Sequence, residues 1–386
     1  MKSLEGNKLD RFITKGRKKL RYGYTTGSCA AAASKAATLM LYTKNSIKDI
    51  CIDTPKGWQL KLSVIDPVIT DDLASCCIIK DSGDDPDVTN GIRIYAAAKK
   101  INSPTIEIEG GVGIGMVTKA GLSVSPGQHA INPAPMRMII EEVEKVLPKG
   151  EGVKIKIYAP EGVAIAKKTF NPKLGIVGGI SIIGTTGIVE PMSEEAMKES
   201  LALELSVLKE KGVKRIIFSP GNYGRDYTKE LFIKNNKEVN IDEVLIKTSN
   251  FIGYMLDKAL EHKYEEIMII GHLGKMVKVA GGIFHTHSSI ADGRMEVLAA
   301  NCGLLGCSQQ LIAKIMESIT TDEAVDYIMA EKLYRVFDLL AEKITQKATE
   351  RTFNNIKIGT LIFTNNHDKL GLCSNGNRML EEYWNE

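Results

Sequence analysis

At 386 residues the chain exceeds one ordinary domain and suits two, and 44% hydrophobic with 25% charged residues places it among soluble globular proteins. A net charge of +3 gives no reason to expect a nucleic-acid or membrane partner, and no segment approaches membrane-spanning length. Seven scattered cysteines without a CxxC pair point away from a zinc knuckle or a disulfide framework and suit a reducing cytoplasm.

In chain order, a basic arm (Lys15, Arg17, Lys18, Lys19, Arg21) that also carries Glu5 and Asp10 lacks the apolar core of a signal peptide and reads as a solvated arm. Tyr24-Thr25-Thr26-Gly27-Ser28 then caps an alanine-rich helix over 29–40. Short β-like runs follow at 50–53, 60–65 and 74–79, and the runs 91–97 and 105–109 flank Asn102-Ser103-Pro104 as an expected hairpin. Residues 80–87 are dense in carboxylates but miss the offsets of an EF-hand; they read as a solvated turn, or else as a holder of a cation or an amine. The glycine cluster 110–115, with Thr118 and Lys119 behind it, is either an anion cradle or a glycine bend between strands, without the GK[ST] ending of a P-loop. Prolines 133 and 135 open a helix over 136–146, and strands are expected at 154–158 and 163–169. These elements describe an N-terminal α+β domain over 1–172.

From 173 the rhythm changes. Apolar runs at 179–183, 215–218, 244–246 and 266–270 alternate with helical patterns at 193–211 and 249–262. Further helices are expected over 298–318 and 321–347, the latter as a surface helix, with a late strand at 358–363. Alternation of this kind signals a C-terminal α/β, Rossmann-like domain over 173–386 with a mostly parallel sheet. Ligands of such sheets sit outside the carboxyl ends of the strands. The segments expected there are 184–187, 219–222, 248–250 and 271–274, all small and polar.

Gly184, Thr185, Thr186 and Gly187 have the composition of a nucleotide-binding turn without GxGxxG spacing, and a tight strand exit explains them equally well; Glu190 follows as an acid able to hold ribose hydroxyls or an ammonium. Histidines gather at His272, His285 and His287, near Asp292. They are a weak metal pattern, because HExxH is missing, and a better set of donors around an anionic substrate, together with Lys119, Arg137, Lys275, Lys278 and Arg294.

Together the segments LRYGYTTGSCAAAASKAA, KDSGDDPDVTNG, GGVGIGMVTKAGL, AINPAP, GISIIGTTGIVEPMS, SPGNYG, SNFIGYML and GHLGKMVKVAGGIFHTHSSIADGRME resemble, in order, the CbiD family of cobalt-precorrin-5B C1-methyltransferases. Two departures stand out: Met136 intervenes between the proline pair and Arg137, and Gly127-Gln128-His129-Ala130 stands where the family commonly reads Gly-Glu-Pro-Ala. The resemblance implies methyl transfer from S-adenosylmethionine to C1 of a cobalt-containing polycarboxylate tetrapyrrole. It needs alignment rather than a covalent nucleophile, and no protein-bound metal, since cobalt belongs to the substrate.

On that reading Gly184, Thr185, Thr186, Gly187, Glu190, Asn222 and Asn250 hold the cofactor. Lys119, Arg137, Lys275, Lys278, His285 and Arg294 hold the substrate, which is expected between the domains. His272, His287 and Asp292 are the candidates for adjusting protonation. The rivals are a metal-dependent hydrolase built on His272, His285, His287 and Asp292, and a non-catalytic binding module. The oligomeric state stays open, a homodimer included.

Overall fold

The structure, a computed structural model, describes residues 9–234, 240–365 and 369–385; Glu5 of the basic arm lies outside them. The chain divides into two compact units, Met1–Glu194 and Glu195–Glu386. Each mixes helices with strands, and the sheets are of mixed orientation.

The first unit opens with β1 (Phe12–Lys15) and β2 (Lys18–Arg21), an antiparallel hairpin turned at Gly16. The described part of the basic arm is therefore a strand hairpin, and it carries Arg17, Lys18 and Lys19 exposed to solvent. After β3 (Gly23–Tyr24) comes α1 (Thr26–Thr43), capped by Thr25, whose side chain accepts from the Ser28 N–H. Its alanines are fully buried, and most of the helix is apolar all round, as expected of a core helix.

Next come β4 (Asp49–Asp53), β5 (Gln59–Ser63), β6 (Ile65–Ile69), β7 (Leu73–Ile79), β8 (Arg93–Ile101), β9 (Ile106–Gly110), β10 (Gly113–Ile114) and β11 (Met116–Val117). They are followed by α2 (Pro133–Glu144) and β12 (Gly152–Tyr158). The main sheet runs β6-β7-β8-β12-β9 and lies against α1. The expected hairpin of 91–97 with 105–109 does not form. β12 inserts between the two, antiparallel to β8 and parallel to β9, and so buries Ile155 and Ile157 centrally.

The expected strand 163–169 is instead α3 (Gly162–Ala166); a short apolar run does not discriminate strand from helix. The unit closes with α4 (Asn171–Leu174), β13 (Ile176–Val177), β14 (Gly179–Ile180) and β15 (Ile188–Val189). These strands pair with β11, β10 and β3 respectively. The stretch 173–194, placed by sequence in the second domain, is thus bound into the first unit, and 179–183 is no strand of the second sheet.

The second unit contains α5 (Glu194–Glu210), β16 (Arg215–Ser219), α6 (Asn222–Lys234), β17 (Leu245–Lys247), α7 (Ile252–Glu261), β18 (Glu266–His272) and α8 (Leu273–Ala280). Then follow α9 (Arg294–Leu304), α10 (Gln309–Glu317), α11 (Thr321–Ala330), α12 (Arg335–Arg351), β19 (Lys357–Phe363), β20 (Lys369–Leu372) and α13 (Ser374–Asn385). The two long helices expected from sequence are each broken in two. Gly306 (φ 78°) and Lys332 (φ 58°) adopt the left-handed conformation that ends a helix.

The sheet order is β17-β16-β18-β19-β20, parallel except for β20. Alternation along the strands sends Ile217, Met268, Ile270, Leu361 and Phe363 to one face, against Tyr227 and Phe232 of α6 and Met379 of α13. Ile216, Phe218, Ile267, Ile269 and Ile358 face the other way, toward α7, α8 and α12. No helix among the described residues is long and apolar enough to cross a membrane.

Candidate functional site

In the second unit, β16 and β18 are neighbours whose following helices, α6 and α8, leave on opposite faces of the sheet. Their carboxyl ends therefore form a topological switch point, where open parallel sheets bind ligands. The residues there are Ser219-Pro220-Gly221-Asn222 and Gly271-His272-Leu273-Gly274, with Thr248 ending β17 beside them in the sheet order. Backbone crowding explains the glycines: a Cβ on Gly271 would press on Met276 and Pro220, and Gly221 holds φ 115°, which L side chains rarely adopt.

Buried polar atoms here lack partners. Thr248 is fully buried and Thr364, just past β19, is buried, and the Oγ1 of each makes no hydrogen bond; His272 Nε2, at the end of β18, has only the Asp322 carboxylate near it. Such groups cost free energy unless a ligand or water satisfies them. Three strand ends in one sheet with polar groups so placed mark a candidate site.

His272 is the N-cap of α8: its Nδ1 accepts from the Gly274 N–H at 3.1 Å. With Nδ1 occupied as an acceptor, the neutral ring carries its proton on Nε2, which lies 3.5 Å from Asp322 Oδ1. Burial holds the His272 pKa below the ordinary histidine value, against the opposing pull of the Asp322 carboxylate. Asp322 is in turn fixed by Asn365, whose side chain donates to Oδ2 at 2.9 Å. His272 is thus built as a neutral donor, and a proton-accepting role would cost it the cap.

The loop between α8 and α9 gathers the remaining second-unit candidates. Lys278 is buried and donates to the carbonyl of Ala291 at 2.8 Å, with Asp292 Oδ1 3.9 Å away. Arg294 grips Asp292 with two bonds, at 2.6 and 3.0 Å, and this guanidinium holds the Asp292 carboxyl below its usual range. Both cations therefore shape the loop, and Asp292 is neutralised within it. His287 is exposed, its Nδ1 2.6 Å from Ser289 Oγ, whereas His285 bridges to Phe251 and stacks edge-on against it. Asn250 accepts from the Thr286 N–H through its carbonyl, and Asn222 accepts from Lys247. Among the described residues no group of three or more His, Cys, Asp or Glu is placed to hold a metal, so the hydrolase cluster is not assembled.

The first-unit candidates are largely occupied by structure. The 184–187 turn wraps the N-terminus of α1: Gly27 N–H donates to Ile183 O, Ser28 Oγ donates to Gly187 O, and Thr26 Oγ1 accepts from Ile183 N–H. Thr186 bonds its own turn through Ile188, and Glu190 pairs with Lys15 at 3.0 Å. Thr185 stays open; with Arg137 it lines a cavity of about 310 Å³ that also meets Thr54 and Lys145.

Lys119 lies along Gly175, at the end of α4. The glycine cluster is a backbone crossing, not an anion cradle: a Cβ on Gly113 would overlap Ala159 O, and one on Gly179 would overlap Gly113 O. The acidic loop is an internal clamp. Asp81 holds Arg21 bidentately at 2.6 and 2.8 Å, and Asp87 holds the buried Lys80 at 2.6 Å.

A family profile described as CbiD matches residues 13–191, and one for the CbiD C-terminal domain matches residues 285–374. The chain is 54% identical to the cobalt-precorrin-5B C(1)-methyltransferase of Alkaliphilus metalliredigens, over 97% of either chain. To that of a Thermoanaerobacter species it is 50% identical, over 90% of this chain and 93% of the other. The chain belongs to the CbiD family. A solved structure described as the cobalamin biosynthesis protein CbiD of Archaeoglobus fulgidus matches at 29% identity, over 72% of this chain and 86% of that one, with a TM-score of 0.38.

The first CbiD match ends close to the unit boundary, in keeping with 173–191 lying in the first unit. Sequence reasoning overlooked Asp322, which it placed on a plain surface helix, and also Thr364 and Asn365. Their only local signal is position, just after a helix cap and a strand end. Burial pushes the Cys29, Cys76 and Cys302 thiols up to about 12, so these three stay protonated and pack as small apolar groups.

Proposed function

We propose that this chain is a methyltransferase of corrinoid biosynthesis, moving a methyl group from S-adenosylmethionine to C1 of cobalt-precorrin-5B to give cobalt-precorrin-6A. The observation that carries the reading is the near full-length identity to the Alkaliphilus enzyme of that name. The second unit is read as Rossmann-like on its parallel order and switch point, and the methyl donor is assigned to that crevice. Thr248 Oγ1 and the His272 Nε2–H offer hydrogen bonds at strand ends, and Asn222 and Asn250 follow the ends of β16 and β17 in sequence. The donor supplies an electrophilic sulfonium methyl for in-line displacement by a ring carbon.

The residues of the chain align and desolvate. His272 offers a fixed Nε2–H held by its cap, and Asp322 orients it. Exposed cations such as Arg137 suit the carboxylate arms of the acceptor. His285, His287 and the Arg294-ordered loop are assigned to the acceptor side; the turn 184–187 and Glu190 keep a structural role in supporting α1. Seven unpaired thiols suit a reducing cytoplasm.

Calorimetric titration of the full chain with S-adenosylmethionine and S-adenosylhomocysteine, followed by a methyl-transfer assay on the cobalt precorrin, tests the reading. Saturable binding with turnover is expected. Binding without turnover turns the protein into a non-catalytic module, and no binding even with cobalt corrinoid present overturns the donor. In the same assay His287→Ala should lose turnover if the exposed imidazole moves a proton, and full activity removes it from the mechanism.

A further inference from the structure

Lys275 stands in the first turn of α8, and its Nζ is 3.6 Å from where a Cβ on Gly221 would stand. That ammonium has no protein counter-ion among the described residues. Other cations of the unit are engaged: Lys278, its charged neighbour, on Ala291 O, Lys247 on Asn222, and Arg294 on Asp292. Beneath it the Gly221 turn presents bare backbone, because φ 115° there excludes a side chain in practice. Burial, and next Lys278, press the Lys275 pKa below the ordinary lysine value. A half-buried cation without a partner is costly, and such a group persists where a ligand brings the opposite charge.

We propose that Lys275, poised over the Gly221 turn, is the anchor for the methionine carboxylate of the methyl donor. The inference rests on the donor assignment above and deepens it by naming the atom that is held. A recessed single cation at the carboxyl end of β16 matches one carboxylate of a small ligand in the switch-point crevice. The many arms of a large tetrapyrrole call for several cations spread over an open surface. Lys275 thereby moves from the acceptor side, where sequence placed it, to the donor side.

The test compares ligands with and without the carboxylate on the full chain. Lys275→Gln should weaken S-adenosylhomocysteine binding about 10- to 100-fold, the weight of a charge-assisted hydrogen bond. It should leave 5′-methylthioadenosine, which lacks the amino-acid part, unchanged, and Lys275→Arg should restore most of the lost affinity. Equal loss for both ligands, or no loss for either, overturns the proposal. Weakened cobalt corrinoid binding with S-adenosylhomocysteine intact overturns it too, by giving the lysine to the acceptor.

If the glutamine variant does not fold, decarboxylated S-adenosylmethionine makes the same comparison on the unmodified protein. It should bind about 10- to 100-fold more weakly than the parent donor; equal binding overturns the proposal. A wild-type protein that binds neither donor nor product instead removes the donor reading itself, a failure distinguishable from the first.

Discussion

The two units treat polar groups differently. In the first, charges and glycines are spent on the fold. Arg21 meets Asp81, Lys80 meets Asp87, and the buried Glu142 accepts from Lys35, Lys145 and the Asp53 N–H. In the second, the carboxyl ends of the parallel strands leave the Thr248 and Thr364 hydroxyls with unmade bonds, and Lys275 has no counter-ion among the described residues. The first unit also has orphans: Ser34 and Thr38 sit one turn apart inside α1 among alanines, and His129 Nδ1 lies packed against Gly110. The lesson is that a polar motif says little about function until its partners are known. A motif whose groups are all satisfied reads as scaffold; one left unsatisfied where a sheet opens is a candidate for binding.

Four substitutions sharpen the contrast, the largest first. Gly113→Ala forces a Cβ onto Ala159 O at φ 78° and should cost more than about 4 kcal/mol, losing the first unit's cooperative unfolding in a denaturant melt. A stable, normally folded variant would show that the cluster is not a packing device. Glu142→Ala leaves the largely buried Lys35 without its carboxylate, while Lys145 keeps Asp53, and should cost about 3 kcal/mol by the same measurement, since one partner of a buried pair is removed.

Thr248→Val removes an unsatisfied hydroxyl at nearly constant shape. Stability should change by less than about 1 kcal/mol, or rise. Affinity for S-adenosylhomocysteine should fall several-fold in the same preparation, and unchanged affinity would take Thr248 out of the site.

The smallest effect is a pH slope. His272 has a folded pKa below its unfolded one, so protonation favours the unfolded chain. The stability at stake is present above the unfolded value, near pH 6.5, and is lost as pH falls from there toward the folded pKa. His272→Asn keeps a capping oxygen for Gly274 and should flatten the melting-temperature profile below about pH 6.5. Parallel profiles would mean that another group carries the slope.

Much of this was legible in the sequence. The alanine-rich helix behind Thr25, the strands at 74–79, 154–158 and 215–218, and the helices at 193–211 and 249–262 follow from local propensity and periodicity, which few residues suffice to express. The family is also a property of the sequence, through ordered motifs spread along the chain. What only the tertiary structure decided is pairing. β12 enters between β8 and β9, so a hairpin that local turn chemistry favours is never made.

The 176–189 strands close on β11, β10 and β3, which moves the glycine-threonine turn from a ligand crevice to the cap of α1. Asp322 reaches His272 from a helix fifty residues away in the chain. Such contacts depend on which surfaces are buried together, a choice settled by the whole core and invisible to any short window of sequence. The same holds for Lys275: its charge is written in the sequence, but its lack of a partner exists only in the fold.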